Sequence, residues 1–351
     1  MQDAHTDAAR DPQATHRSDL YRLHRQHTGQ LESIGRLDLG LRERLWESFA
    51  WLADEHADLE ALERFLDGTP WEFCTTAPTV AAQLLVRHGA DMPGSLRERL
   101  EQFVGAQLPR LVGFTFDGRN DCRAGLAACA AALAGAHLTD DSLTELADGI
   151  LRTGVALLKR RAYFSHYLCA DQSPLLLLML ADIGTFAGSE EVRARARALE
   201  ARLWEELLSH WHAPAFRLAG PHAVASCVRN GAGPTPLQML VTHCFSPEAA
   251  GLAPPRQLYS DAGAEMFPEE TDLCVLRARN CWIAAGTYHI PRDIRGSVTA
   301  PEWPRYEVGD AETAGECDRP GGDAEEAAED RGFYPPGIAR TAACLTAEFA
   351  L

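Results

Sequence analysis

Apolar residues recur along this chain in two distinct patterns, and their alternation predicts the architecture. Around residues 41–53, Leu41, Leu45, Phe49 and Leu52 fall at steps of four, four and three, the spacing of one helix face. From residue 78 onward two kinds of helix alternate. One kind is apolar almost all round: it begins near 78, again at 121–135 (DCRAGLAACAAALAG) and again at 173–187 (SPLLLLMLADIGTFA). The other is amphipathic. Residues 95–108 align Leu96, Leu100, Phe103, Val104 and Leu108, and 140–158 align Leu143, Leu146, Ile150, Leu157 and Leu158. In 190–208, Val192, Leu199, Leu203 and Leu207 oppose Arg193, Arg197, Glu200 and Glu205. A helix that is apolar all round is buried on every side, whereas an amphipathic one lies at a surface.

The buried helices start 43 and 52 residues apart, a helical-hairpin repeat whose irregular part is loop. Two concentric layers satisfy this order, so the expected fold is mainly α: an incomplete (α/α) toroid spanning 31–245. A plain α-solenoid and an irregular bundle are the alternatives. Residues 1–30 are polar and aperiodic and read as a disordered tail. The pattern changes after 245. Residues 246–270 are proline-rich and read as loop, and TDLCVLRARN and CWIAAGTYHI read as two strands with Asn280 at the turn. Residues 307–331 hold ten acids and read as a disordered loop. The final ARTAACLTAEFAL reads as one more strand. The segment 246–351 is thus expected to be β, the start of a β-sandwich-like domain. Two or three strands cannot bury a sheet face alone, so these pack on the helices or the chain is a truncated form of something longer.

A net charge of −17 argues against nucleic-acid binding, which needs a basic surface. The longest purely apolar run, Leu175 to Ala181, is too short to span a bilayer, and the first residues carry no apolar stretch of a signal peptide. The ten cysteines form no CxxC pair, which suits reduced thiols packed as small core residues in a cytoplasmic protein. There is no GxGxxG after a strand, no GxxxxGK[ST], HExxH, GxSxG or DDxxD, so no cofactor and no metal is indicated. The pair His210 and His212 would diverge on a helix and share no metal.

In a toroid, the loops entering the inner helices line a cleft. Four segments are expected to reach it. In FTFDGRNDCRAG (114–125), Asn120 or Asp121 caps the following helix, and Asn120 with Arg119 can bind or polarise a substrate oxygen. In YFSHYLCADQSP (163–174), His166 is a candidate base and Tyr167 a candidate acid, while Asp171 or Ser173 can cap. In 210–231, His222 follows a Gly-Pro turn, with Arg217 and Arg229 as local positive charge. In TYHIPRDIRG (287–296), Tyr288 and His289 end a strand and Arg292 and Arg295 follow in a loop that either covers the cleft or forms a surface hairpin. Trp71 and Trp211 can stack on a sugar or serve as core and rim aromatics.

The order NDCRAGLAACAAAL, SHYLCADQSPLLLLMLADI, HWHAPAFRLAGPHAVASC, TYHIPRDIRG resembles a family of large bacterial and fungal helical-toroid proteins, similar in layout to heparinase II/III-like proteins and other polysaccharide lyases with an α/α toroid and a β-sandwich. The resemblance covers residues 40–300 and the last dozen. Where that family has Ser-Pro-Thr-Tyr, this chain has Cys169-Ala170-Asp171-Gln172. Where it has His-Ser-Arg-x-Tyr, only His222 is kept. The resemblance implies a lyase-like enzyme acting on a carbohydrate or a small carboxylate or carbonyl compound. His222 or His166 would abstract the proton, Tyr167 would protonate, and Asn120 with Arg119 would neutralise the charge that builds on oxygen. Trp71, Trp211, Arg229 and His289 would bind the small-molecule or saccharide ligand. The rival expectation is a non-catalytic toroid that binds a ligand or partner, or an inactive relative.

Overall fold

A computed structural model describes residues 17–26, 39–54, 58–161, 163–165, 168–214, 217–219, 235–245, 270–299, 305–313 and 337–345. The protein is mainly helical. The helices are α1 (17–26), α2 (Leu41–Leu52), α3 (Leu59–Asp67), α4 (Ala77–His88), α5 (Gly94–Gln107), α6 (Asp121–Leu138), α7 (Asp141–Arg161), α8 (Ser173–Phe186), α9 (Glu190–Ser209), α10 (Pro236–Cys244), α11 (Glu270–Ala285) and α12 (Arg292–Thr299). Two short antiparallel pairs accompany them: β1 (Trp211–His212) with β2 (Arg217–Leu218), and β3 (Arg305–Thr313) with β4 (Gly337–Leu345).

The all-round apolar helices are the buried ones. Every residue of α8 from Ser173 to Gly184 is buried, and α6 is buried from Asp121 to Gly135 apart from Arg123. The six side chains Leu175 to Leu180 together contribute on the order of 12 kcal/mol of gross burial. Helix α6 is built largely of alanine, and Gly125 lets it approach α8 closely. A Cβ at that position would stand 2.5 Å from Leu176 Cδ1. The amphipathic α5, α7 and α9 pack on α4, α6 and α8 respectively and turn their charged faces outward.

Cross-helix bonds fix direction. Thr79 Oγ1 of α4 donates to the Leu126 carbonyl of α6, and one turn further along Gln83 of α4 donates to Asp182 of α8. Trp282 of α11 donates to Gln83 and stacks on Trp46 of α2, with ring centroids 5.4 Å apart. Second contacts set the sense: Gly125 and Cys129 of α6 lie by Met179 and Asp182 of α8, Phe49 of α2 by His88 of α4, and Arg279 of α11 near Arg42 of α2, so α2, α4, α6, α8 and α11 run in one direction, with their amino-terminal ends at the same side. Along the buried set each helix packs on the next: α2 on α4, α4 on α6, α6 on α8, α8 on α10, α10 on α11. The last, α11, packs on the first, α2.

Three expectations need correction. Residues 270–285, expected as two strands, form α11, because Ala278, Cys281, Trp282 and Ala285 are needed as a buried helical stripe facing α2 and α4. Residues 17–26, expected as disordered tail, form α1, which lies on α11: Arg17 donates to the Ala284 and Gly286 carbonyls and Tyr21 to the Cys281 carbonyl. Residues 305–313 are strand β3 rather than loop. It pairs with β4 and lies against α7, so this pair does pack on the helices. The proline-rich 246–269 and most of the acidic stretch fall outside the described residues. Among the described residues no helix is long and apolar enough to cross a membrane, and Cys74, Cys122, Cys129, Cys169, Cys244 and Cys281 are free thiols.

Candidate functional site

Residues 163–165 and 168–172 precede α8 at the end of the molecule where the parallel helices begin, and four neighbours hold them. The tightest hold comes from α6. Asn120 is the N-cap, its side chain accepting the Arg123 N–H at 3.4 Å. With the cap supplied by Asn120, the Asp121 carboxylate serves another purpose. It accepts the Ser165 N–H at 2.6 Å and the Gly118 N–H at 3.0 Å, and the Asp121 N–H donates to Ser165 Oγ at 2.9 Å. Gly118, at φ 79°, makes the turn that brings its N–H round. Asp121 is fully buried at 0% exposure. Burial pushes its pKa up to about 6, against the pull of the bonds from Ser165 and Gly118.

The second hold comes from α9. The Leu168 N–H donates to Glu206 Oε1 at 3.3 Å, and Glu206 is 2% exposed. Its other oxygen, Oε2, has no hydrogen-bond partner among the described residues. Burial pushes this carboxyl up to about 8, with Asp121 adding to the rise, so it is mostly protonated at neutral pH. Leu168 itself sits at φ 50°, a left-handed conformation that costs a leucine about 1–2 kcal/mol. Beyond it, the Ala170 carbonyl accepts the Leu237 N–H of α10 and the Cys169 carbonyl accepts the Ser173 N–H of α8. A strained residue persists only where its surroundings over-determine it, and such residues gather at functional sites.

Across from this loop stand two guanidinium groups. Arg279 of α11 reaches toward Asp171, Nη2 to Oδ1 4.0 Å. Arg42 at the start of α2 is bound by Glu43 and lies over the Trp46 ring. Beneath them is a buried polar layer: Asp182 is gripped by Arg87 and Gln83, and Gln83 receives the Trp282 N–H at 2.6 Å.

Of the candidates, Asn120 and Arg119 lie at this end. The Asn120 oxygen is spent on the cap, and the Arg119 N–H donates to Asp117. Trp71 lies between α3 and α5, donating to the Leu66 carbonyl and meeting Phe103 edge-on, beneath the Arg99 guanidinium. Trp211 is 1% exposed in β1, so it is a core residue and cannot stack on a ligand, a correction to the expectation. The expectation for His289 also needs correction. It follows α11 and bonds Glu200 through Nδ1 at 2.9 Å and through its backbone N–H at 2.8 Å, beside Gly184 in the last turn of α8. That is the opposite end of the helices from Asn120. Tyr288 is buried, donating to the Ile283 carbonyl, and Arg292 and Arg295 are exposed on α12 rather than in a loop. His210 closes α9 and His212 is in β1, so the pair is not helical. Neither Asp171 nor Ser173 caps α8, whose N-cap is Gln172 without a side-chain bond. His166, Tyr167, His222 and Arg229 lie outside the described residues, as does the side chain of Arg217. Among the described residues no three His, Cys, Asp or Glu side chains stand together as a metal site.

Neither Asp121 nor Glu206 announces its hold on the loop in the sequence. Glu206 carries one signal: it follows Leu199 and Leu203 on the apolar stripe of α9. Replacing Asp121 with alanine is expected to orphan two backbone donors and cost about 1–3 kcal/mol. Hydrogen exchange at Ser165 and Gly118 should rise while that of α8 stays slow. Unchanged exchange at both amides would show that the carboxylate does not hold the loop. Compared with protein-family models, curated proteins and solved structures, the chain matches none.

Proposed function

We propose that the helices form an (α/α) toroid closed by α11, and that the protein is a lyase-like enzyme acting at the amino-terminal mouth of its inner layer. The closed order of neighbours, from α2 round to α11 and back, supports the toroid. The observation that carries the enzyme reading is the clamped loop. Ser165 and Leu168, the shoulders of His166 and Tyr167, are each fastened to a fully buried carboxyl, and Leu168 is held in a strained conformation. Catalysis by a positioned base and acid needs such rigid support.

The reaction is proton abstraction and elimination on a carbohydrate or a small carboxylate or carbonyl compound. His166 or His222 takes the proton next to the carbonyl carbon, a C–C double bond forms, and the leaving group departs with a proton from Tyr167. Electron density that builds on the substrate oxygen is met by Arg119 and by the Asn120 amide nitrogen, which the cap does not consume. An overall charge of −17 disfavours polyanions and favours a small substrate. A second reading, a non-catalytic ligand-binding toroid, is favoured by Cys169-Ala170-Asp171-Gln172, which replaces a polar segment of the family the sequence resembles.

The test is incubation with glucuronides, galacturonides and β-substituted small carboxylates, following the ultraviolet absorbance of an unsaturated product. His166→Ala and Tyr167→Phe are each expected to lower kcat by about 10²–10⁴-fold, while Arg152→Ala, on the exposed face of α7, leaves it within a few-fold. Turnover by both loop variants at the parent rate would remove the acid–base assignment, and absence of product from every class would leave the binding reading.

A further inference from the structure

Arg279 is a weakly compensated cation. Its side chain is 24% exposed, and its Nε is buried without a hydrogen-bond partner. Its single charge contact is to Asp171 at 4.0 Å, beyond hydrogen-bond reach. The neighbouring cation, Arg42, is already engaged: Glu43 Oε1 takes both its Nε at 2.7 Å and its Nη2 at 2.5 Å. Burial and the Arg42 charge both push the Arg279 pKa down, Asp171 pulling it back. Withdrawing a guanidinium from water is costly unless its N–H groups are met, so a group kept this way ordinarily has a partner that comes and goes.

The groups around Arg279 come from separate parts of the molecule. Asp171 precedes α8 and Arg42 opens α2, so the guanidinium spans the beginning of the inner layer beside the clamped loop. The stacked Trp46 and Trp282 rings lie one turn deeper. A planar fork of N–H donors suits one small planar anion.

We infer that Arg279 binds the carboxylate of a small-molecule ligand at this mouth, with Asp171 holding the guanidinium in place when the ligand is absent. This rests on the mouth being the working end of the protein, and not on any reaction taking place there.

Binding of glucuronate, galacturonate and acetate, with glucose as the neutral control, is measured by calorimetry and thermal shift on the full chain. A carboxylate is expected to bind and raise Tm where glucose does not. Arg279→Met should weaken that binding by about tenfold or more, the effect of losing hydrogen bonds to a charged group. Arg279→Lys should recover only part of it. Asp171→Asn should strengthen it several-fold, because it removes the competing carboxylate. That sign is not expected of a merely structural arginine. Equal binding by parent and Arg279→Met, weaker binding by Asp171→Asn, or no saturable response to any of the three carboxylates overturns the inference. Arg279-dependent binding without turnover would fell the lyase reading and leave this one standing. Turnover unaffected by Arg279→Met would do the reverse.

Discussion

Asp182→Ala is expected to destabilise the protein by about 3–5 kcal/mol, the cost of removing one partner from a buried ion pair. Asp182 lies in the most apolar helix of the chain. Its carboxylate receives Arg87, and Gln83 at 2.8 Å, and Gln83 in turn receives the Trp282 N–H. The alanine variant leaves a buried guanidinium with no carboxylate and a buried amide with one donor unmet. The stacking of Arg87 over Phe186, 4.6 Å from the ring centroid, offsets little of that. The double variant Asp182→Leu with Arg87→Met removes both charges and should recover most of the loss, because apolar residues of similar volume replace a buried pair at little cost. Denaturant midpoints, with the slope unchanged, give both numbers. A single-variant cost below about 1 kcal/mol, or a double variant no better than the single, would show that this layer does not hold α4, α8 and α11 together.

That layer also shows what can and cannot be read from sequence. Asp182 is the one charged residue in SPLLLLMLADIGTFA, and a carboxylate there requires a buried partner. Which partner is a tertiary fact: Arg87 and Gln83 are about a hundred residues away. The helices α2 and α4 to α9 are legible because burial imposes periodicity on whole turns. Helix α11 reads as strand because CVLRARNCWIA alternates over its first residues as a strand would. Its arginines are tolerated on a helix only because Arg279 opens on the mouth and Arg277 has a partner of its own. Helix α1 escapes detection because just Leu20, Tyr21 and His24 face inward, too few for a pattern. At the candidate site the choice between Asn120 and Asp121 as cap is a one-residue question. The structure resolves it by giving the cap to the first and the loop to the second.

The second large effect is a fall in stability as pH rises, carried by a histidine in that overlooked helix. His24 is 2% exposed and its Nε2 lies 3.1 Å from Glu47 Oε1, itself 1% exposed. Burial alone would lower the imidazole pKa. The charges of Cys281 and Glu47 and their hydrogen bonds reverse this and raise it from 6.5 to about 10. The Cys281 thiol is itself pushed up by its burial. Because the folded value is raised, the stabilisation is fully present below about 6.5 and disappears as pH climbs through about 10. Its size is on the order of a few kcal/mol. Cys281 and Tyr21 are also raised by burial and weaken the fold at high pH, so the measurement is a difference between two proteins. His24→Gln should be several kcal/mol less stable than the parent at pH 6, and the gap should narrow to a small residue by pH 10. The loss should appear first as faster hydrogen exchange in residues 17–26, because Arg17, Tyr21, His24 and Arg25 fasten α1 to α11, to α2 and to Asp54 just after α2. A gap that stays constant from pH 6 to 10 would mean that His24 is buried neutral, and that α1 is held by packing and by the bonds of Arg17, Tyr21 and Arg25 rather than by a histidine latch.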